Sequence, residues 1–544
     1  MTGTAPDTLQ PPGARRTGFE LKVFWISSSR RKKALTFNQS GGPDPTKRRD
    51  LSLLTWAATN AVGGCKPALT QRAAVALLAM ALLGLPARSA AAAFAEPPSG
   101  VAAPHQTAMA ETSAAEAESD YEGFFNTQQY WDMDHLLPER WLQPLTDRGV
   151  DYTVMYTADV LGNVSGGLKR GATFSGVLEA GLSLETEPLL GWRGATFYGS
   201  CLIAHGENLS DQHLGDLYGG SSDERKFSVR LYELWLDQTF CHEAVSLRVG
   251  QLALDREFLG TDLGLLFMNC AFGWPAVIGW SMDAATYPVA APGVRLRVDL
   301  GRYWFQSAVF TGEPEPLEER DENEERPHEE HGVDFNFSGG VLAIWELGYA
   351  TVTEEVNSRH PGVYKLGGWF HTGRFEDQYY DDQGRSLADP ATSENPRSLN
   401  DNWGLYAVAE QNIWNPSPAL EERGLSLFAR VAAVPSDRNL ISFTVDTGLH
   451  YVGLFPGRPH DVTGVGFSYS RISNRARDLA RDENVLADAA APLPDYEAVL
   501  EWTYRIEIKP WWYLQPDVQY IVHPGGSSAI PDALVIGLRC VFSL

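Results

Sequence analysis

The stretch from residue 500 to residue 509 alternates strictly between apolar and polar side chains. Successive side chains of a β-strand point to opposite faces, so this strand would have one wholly polar and one wholly apolar face. The polar face carries Glu501, Thr503, Arg505, Glu507 and Lys509. In a soluble protein the apolar face would cover a core, whereas in a transmembrane barrel it would meet lipid while the polar face meets water.

The same period of two recurs from residue 151 to the end of the chain, which favours the barrel. It is clearest at residues 245–250, 294–299, 441–446, 465–470 and 534–544. At roughly 22 to 26 residues per strand and its loop, the region from 149 to 544 holds about 16 to 18 strands, enough to enclose an aqueous channel. Aromatic residues cluster near strand ends at 303–305 and 511–513, as in interfacial girdles. The sequence therefore predicts an all-β fold, a transmembrane antiparallel β-barrel of about 16 strands.

Hydropathy and charge argue against two other classes. The mean hydropathy is −0.23, which does not fit a helical membrane protein. Beyond the first 95 residues the chain has 65 acidic and 31 basic residues. This excess of acidic residues argues against nucleic acid as a partner, because phosphate binding needs a basic surface.

Residues 1–95 are predicted to be a leader that contains a secretory signal peptide. An uncharged apolar core at 73–85 follows Lys66 and Arg72 and precedes small residues that end in Ala93-Phe94-Ala95. These are the three parts of a secretory signal. The core is too short to span the roughly 30 Å hydrocarbon region as a helix. We expect cleavage near Ala95 during export through the inner membrane, although a stretch of 65 residues unusually precedes Lys66.

Three further segments differ from the strand pattern. Residues 96–119 are rich in Ala, Pro, Glu and Ser, which predicts a flexible tether. The aromatic and leucine spacing of residues 120–148 suits one or two short helices. We therefore divide the exported chain into a tether with a short helical segment, 96–148, and a barrel domain, 149–544. Residues 313–331 are dense in Asp and Glu; they could bind divalent cations, but a solvated outer loop is favoured.

The sequence gives no positive case for an enzyme. It has no dinucleotide-binding glycine motif after a strand, no phosphate-binding P-loop and no nucleophile elbow. His328 and His331 have the wrong spacing for a zinc-binding helix. We expect neither catalytic residues nor a metal or cofactor.

Eight ordered motifs carry more information than the periodicity. They read RLYELWLDQTF (230–240), LRVGQLALDREF (247–258), NCAFGWP (269–275), YPVAAPGVRLRV (287–298), KLGGWFHTGRF (365–375), PSDRNLI (435–441), GLFPGRP (453–459) and QPDVQYIVHPGG (515–526). Together they closely resemble the carbohydrate-selective porins of the OprB type, in order, from about residue 151 to residue 544.

The resemblance implies a 16-stranded barrel in the bacterial outer membrane that passes glucose and other small carbohydrates by passive diffusion, without a cofactor. It also implies contact with outer-membrane lipid and lipopolysaccharide, and insertion by the barrel-assembly machinery. Chains of this family usually end in an aromatic residue, whereas here Phe542 is third from the end. A homo-oligomer is left open, because lipid-facing and subunit-facing apolar residues look alike in sequence.

Strand phase identifies the candidate pore-lining residues. A sugar-selective lumen needs hydrogen-bonding groups for hydroxyls and an aromatic face for the ring, and charged groups form the stronger hydrogen bonds. The predicted sugar contacts are Glu233, Asp237, Arg248, Arg295 and Arg297, with Trp235 for stacking. The other predicted lumen charges are Asp299, Glu501, Arg505 and Lys509. The alternative for each is an ordinary cross-strand charge ladder of a water-filled barrel.

Two other functions remain as alternatives. A general or anion-selective porin could use the same barrel, since the predicted lumen contains several arginines. A secreted, soluble glycan-binding β-protein would also have a signal peptide, many tryptophans and alternating strands. Solubility without detergent would distinguish the second from a barrel.

Overall fold

Sixteen antiparallel strands close into one barrel. The computed structural model describes residues 136–137, 139–224, 227–273, 276–282, 284–314, 331–352, 360–416 and 424–544. Within these residues each strand pairs with the next along the chain, and the last pairs with the first. The predicted all-β barrel of about 16 strands is thus confirmed. The predicted leader, its cleavage site, the tether and most of the acidic segment lie outside the described residues.

The strands differ widely in length. They are β1 (Val150–Ser165), β2 (Gly171–Glu185), β3 (Ala195–Gly206), β4 (Ser228–Phe240), β5 (Val245–Leu252), β6 (Ala291–Asp299), β7 (Tyr303–Thr311), β8 (Val341–Ala350), β9 (Gly362–Asp381), β10 (Pro396–Trp414), β11 (Gly424–Ala433), β12 (Ile441–Val452), β13 (Val462–Ile472), β14 (Tyr496–Lys509), β15 (Trp512–Val522) and β16 (Ala533–Ser543).

The described α-helices are short and lie outside the sheet. They are α1 (Glu139–Thr146), α2 (Thr186–Leu190), α3 (Leu254–Glu257), α4 (Cys270–Gly273), α5 (Ala276–Gly279) and α6 (Asn474–Leu486). The α1 helix falls within the stretch for which the sequence predicts short helices. Among the described residues, no helix has both the length and the apolar character needed to cross a membrane.

Side chains of the barrel alternate between a lipid-facing apolar surface and a polar interior. On β14, Leu500 and Trp502 are 49% and 47% exposed, whereas Glu501 and Thr503 are completely buried. A soluble protein would show the reverse, with its apolar side chains inside. The strand phase predicted from alternation is therefore the observed one.

The connections at the two ends of the barrel differ in length. At one end β4–β5, β6–β7 and β14–β15 are joined by tight turns, as is usual for the periplasmic side of such barrels. At the other end, two long connections fold into the lumen. We name residues 253–290, between β5 and β6, the inward segment, and residues 207–224, after β3, the second loop.

The inward segment packs on apolar side chains of the inner wall. Phe258 and Ile278 belong to one buried cluster with Trp369 of β9. Farther along, Phe272 packs within reach of Phe428 of β11, with ring centroids 6.4 Å apart. Gly466 of β13 leaves room for this contact, since a Cβ atom there would lie 2.7 Å from the Phe272 ring. The lumen is thus partly filled by a packed loop.

A charge on the outer face of β13 should destabilise the barrel. Val465 is 46% exposed on that face, and Val465→Arg is expected to lower the free energy of unfolding in lipid, by at most about 2–4 kcal/mol, because an arginine that faces the hydrocarbon region is costly. The measurement is a urea titration of the barrel folded in vesicles, followed by the gel mobility of unheated samples. Val465→Leu is the matched control. Equal stability of the two variants would contradict contact of this face with lipid.

Candidate functional site

Three neighbouring strands place one acid and two bases in a row on the lumen wall. Asp237 of β4 lies opposite Arg248 of β5, which in turn lies opposite Arg295 of β6. Arg248 Nε donates to Asp237 Oδ2 at 2.8 Å, and Arg295 Nη2 donates to the same oxygen at 3.1 Å. Cross-strand register therefore brings three predicted site residues into direct contact.

Glu257 of α3 completes this group from the inward segment. It accepts from Arg248 Nη1 at 2.6 Å and from Arg295 Nε at 3.1 Å. Although burial opposes its ionisation, the guanidinium groups of Arg248 and Arg295 hold the pKa of Glu257 below its usual range. Each guanidinium thus bridges two carboxylates. We call Asp237, Arg248, Glu257 and Arg295 the charged cluster.

Arg248 is the more accessible base of the charged cluster. Its side chain is 21% exposed, whereas that of Arg295 is 4% exposed. The Arg248 guanidinium lies over the Trp235 ring, 3.8 Å from its centroid. Trp235 stacks in turn on Tyr198, with 4.9 Å between centroids and 26° between ring planes. A fixed hydrogen-bond donor and a pair of aromatic rings therefore lie side by side.

A second group forms next to the charged cluster around Arg256 of α3. Arg256 Nη2 donates to Glu179 Oε1 of β2 at 2.6 Å, and Arg256 Nε lies 3.6 Å from Glu233 Oε2. A β-bulge places both Tyr232 and Glu233 opposite Ser200 of β3, so both side chains face inward. Strict alternation would send one of the two to the lipid.

Two other predicted lumen residues have local partners of their own. Arg297 forms an ion pair with Asp299 at 3.6 Å and lies 5.5 Å from the centroid of the Trp304 ring. Arg505 lies 5.5 Å from the centroid of the Tyr513 ring. Arg297 is two residues from Arg295 on β6, whereas Arg505 is on β14, so the predicted set divides between two parts of the wall.

Glu501 and Lys509 have other surroundings. Glu501 is completely buried and accepts hydrogen bonds from the backbone amides of Met268 and Asn269. It therefore holds the inward segment and does not face open water. Lys509 is the exposed last residue of β14.

Sequence periodicity missed several residues of the site. Tyr198 and Glu179 are on strands whose lumen face was not assigned, and Tyr232 is at the bulge. Arg256 and Glu257 lie in an irregular segment, to which a period of two does not apply. The sequence feature that could have identified Arg256 and Glu257 is the family motif at 247–258, which contains both residues. Within the described residues, no group of His, Cys, Asp and Glu is arranged to hold a metal ion.

Wall side chains also bind the carbonyl groups of the inward segment. Gly260 O accepts from Lys365 Nζ of β9 at 3.1 Å. Leu266 O accepts from Gln515 Nε2 of β15 at 2.7 Å. Arg430 Nη2 of β11 donates to Ala271 O at 3.0 Å. The segment thus follows the inner wall from β9 to β15 before it returns to β6.

The second loop is fixed to β16 and β1, which lie between β15 and β2 in the barrel, and to the inward segment. Arg539 of β16 bridges Asp159 of β1 and Asp223 of the loop, at 2.7 and 3.0 Å. Tyr287 of the inward segment donates its hydroxyl to Asp223 at 3.2 Å. The two loops and the wall of β2–β6 therefore border the same region of the lumen.

A buried glutamate stabilises the second loop from within. Glu224 Oε2 accepts from the amides of Leu209 at 2.9 Å and Ser210 at 3.2 Å. Burial, together with the nearby Asp216 carboxylate, raises the pKa of Glu224 to about 8. Its neutral form is therefore favoured in the docked loop.

Comparison of the sequence with known protein families identifies the family of this chain. The sequence model described as the carbohydrate-selective porin, OprB family, matches residues 169–544, more than half of the chain. The chain belongs to this family. The family and the barrel together indicate a channel in the outer membrane, as the ordered motifs predicted.

Individual relatives are similar over most of their length. Porin B of Pseudomonas aeruginosa is 25% identical over 412 residues, which cover 73% of this chain and 87% of that protein. The putative porin QuiX of Acinetobacter baylyi is 22% identical, over 76% of this chain and 93% of that protein. A high-pH structure of Pseudomonas putida OprB aligns with a TM-score of 0.66 at 24% identity, covering 74% of this chain and 96% of that one. This last similarity supports the fold.

Docking of the second loop should depend on pH through Glu224. Because the pKa of Glu224 in the docked loop, about 8, is above its ordinary value, its contribution is full below about pH 4.5, declines as pH rises towards 8 and is lost above it. We expect the thermal midpoint of the wild-type barrel to fall over this range relative to that of Glu224→Gln. The exposed Glu207→Gln is the control, which should follow the wild type. Parallel curves for wild type and Glu224→Gln would contradict the assignment.

Proposed function

We propose that this channel lets small neutral sugars such as glucose diffuse passively across the outer membrane into the periplasm. The observation that carries the proposal is the charged cluster beside the Trp235–Tyr198 pair on the lumen wall. Sugar hydroxyls need donors and acceptors in fixed positions, and the apolar face of a sugar ring suits an aromatic surface. The proposed contacts are Glu233, Trp235, Asp237, Arg248, Arg295 and Arg297.

The ion pairs of the charged cluster favour a neutral solute, because the arginines and carboxylates neutralise one another's charge. Arg248 and Arg295 are each bonded to both carboxylates of the charged cluster. An unpaired charge would attract a counter-ion, whereas paired charges still offer directional hydrogen bonds to hydroxyl groups. Ion pairing also holds each guanidinium in one orientation, which lowers the entropy lost when a solute binds.

An anion-selective channel on the same barrel is the competing function. The lumen arginines are the feature in its favour. However, the two groups around the site contain three arginines, Arg248, Arg256 and Arg295, and four carboxylates, Glu179, Glu233, Asp237 and Glu257. This balance gives an anion no net attraction, so we favour sugars.

Single-channel recording in a planar bilayer tests the proposal. Detergent-purified, refolded protein is inserted, and glucose and then maltose are titrated into the bath. Stepwise openings with a saturable reduction of current by sugar would support a sugar site. Openings that sugar leaves unchanged would reject it in favour of a general or anion channel.

Removal of the accessible guanidinium should weaken sugar binding. Arg248→Ala is expected to raise the glucose concentration for half-maximal block about tenfold, because a hydrogen bond to a charged group contributes about 1.5–3 kcal/mol and about 1.4 kcal/mol is tenfold. The control is Arg193→Ala, which removes an arginine with an 87% exposed side chain in the β2–β3 turn. If both variants bind glucose as the wild type does, Arg248 does not contact the sugar.

Removal of the buried guanidinium should change ion selectivity. Arg295→Ala leaves Asp237 and Glu257 sharing one arginine, so the local charge becomes more negative. We expect the reversal potential in a potassium chloride gradient to shift towards cation preference. An unchanged reversal potential in a folded variant, shown by heat-modifiable gel mobility, would place Arg295 away from the constriction.

A further inference from the structure

Two glutamates across the barrel from the charged cluster bind backbone amides of the inward segment. Glu410 Oε1 of β10 accepts from the Leu263 amide at 2.8 Å. Glu501 of β14 accepts from the Met268 amide at 2.6 Å and the Asn269 amide at 3.0 Å. Both glutamates are completely buried, so these hydrogen bonds are shielded from water.

The bound amides lie where the segment cannot supply its own acceptors. Leu263 begins a 3-10 turn at Leu263–Leu266, and Met268 and Asn269 directly precede α4. The first amides of a helical turn have no acceptor within it. A buried amide without a partner is destabilising, so this part of the segment depends on acceptors from the wall.

The glutamates depend on the amides in return. A carboxylate removed from water is unfavourable unless it is hydrogen-bonded or paired. If residues 263–269 detached from the wall, their amides and the glutamate carboxylates would lose these hydrogen bonds and would each have to be hydrated by water. The hydrogen bonds therefore stabilise specifically the position in which the segment lies against the wall.

Apolar contacts alone do not fix that position. Phe267 lies 5.8 Å from Phe428 by ring centroid and packs on Phe272 at 4.6 Å. Such contacts are favourable over a range of positions, because the hydrophobic effect is not directional. Hydrogen bonds to two strands, β10 and β14, define one register of the segment along the wall.

We propose that Glu410 and Glu501 are positioning residues that keep the conducting passage open by holding residues 263–269 against the wall. The inward segment is anchored at both ends, by β5 and β6, so a detached stretch stays within the lumen. There it obstructs ion flow until it binds the wall again. This inference goes beyond the proposed sugar transport and does not depend on which solute the channel prefers.

Current fluctuations in potassium chloride without sugar test the inference. Glu410→Ala and Glu501→Ala are each expected to raise the ratio of closed to open time about tenfold, which corresponds to about 1.4 kcal/mol. Glu410→Gln and Glu501→Gln keep one acceptor oxygen and should lie between the wild type and the alanine variants. The control is Glu507→Ala, which removes a carboxylate near the end of β14. The backbone amide and carbonyl of Glu507 bond Asp461 and Arg458, outside the inward segment. This variant should show the same open and closed times as the wild type.

Two results would overturn the inference. One is steady current in both alanine variants, and the other is equal disturbance in Glu507→Ala. If the alanine variants do not fold, hydrogen exchange of residues 260–273 is compared between the wild type and the glutamine variants. Faster exchange in the glutamine variants supports the inference, and equal exchange overturns it. Because no sugar is present, failure here is distinct from failure of the proposed sugar transport.

Discussion

The structure depends on one constraint, which is that every backbone N–H and C=O group inside the membrane must be hydrogen-bonded. No water is available in the hydrocarbon region, so a sheet can cross it only when it has no free edge. Pairing of β16 with β1 removes that edge, for example where Val160 lies opposite Leu538. Once the sheet is closed, alternation forces one set of side chains into lipid and the other into the lumen. The polar interior is therefore a consequence of closure.

The same requirement governs the irregular chain within the lumen. The described part of the inward segment forms only short helical turns, so several of its remaining amides and carbonyls bind carboxylate, amide and basic side chains of the wall. Glu501 and Gln515 show the two sides of this arrangement, one accepting from the segment and the other donating to it. As a result, the part of the barrel that narrows the lumen and the part that carries the charged cluster belong to one hydrogen-bonded structure.

Strand phase predicted the barrel, and it assigned Asp237, Arg248 and Arg295 to the lumen face, because a period of two determines the face of each side chain. That the three residues lie opposite one another depends on strand register, which the period alone does not determine. Strand phase could not predict Glu257, which reaches the same row from a segment without periodicity. The bulge at Tyr232 was also hidden, since it breaks the alternation on which the prediction rests. Glu501 was assigned to the lumen as a charge in contact with water, and sequence alone could not tell that backbone amides of the inward segment would meet it.

The lumen is formed by one continuous segment and by wall residues that are scattered along the sequence, and this has an evolutionary consequence. The inward segment is encoded in one stretch of about forty codons, and such a stretch is easily exchanged by recombination. Its acceptors and donors, among them Glu410 and Arg430, are encoded far downstream. A transplanted segment would arrive without its partners, so new pore properties should arise by paired substitutions in distant parts of the gene and not by exchange of the loop alone.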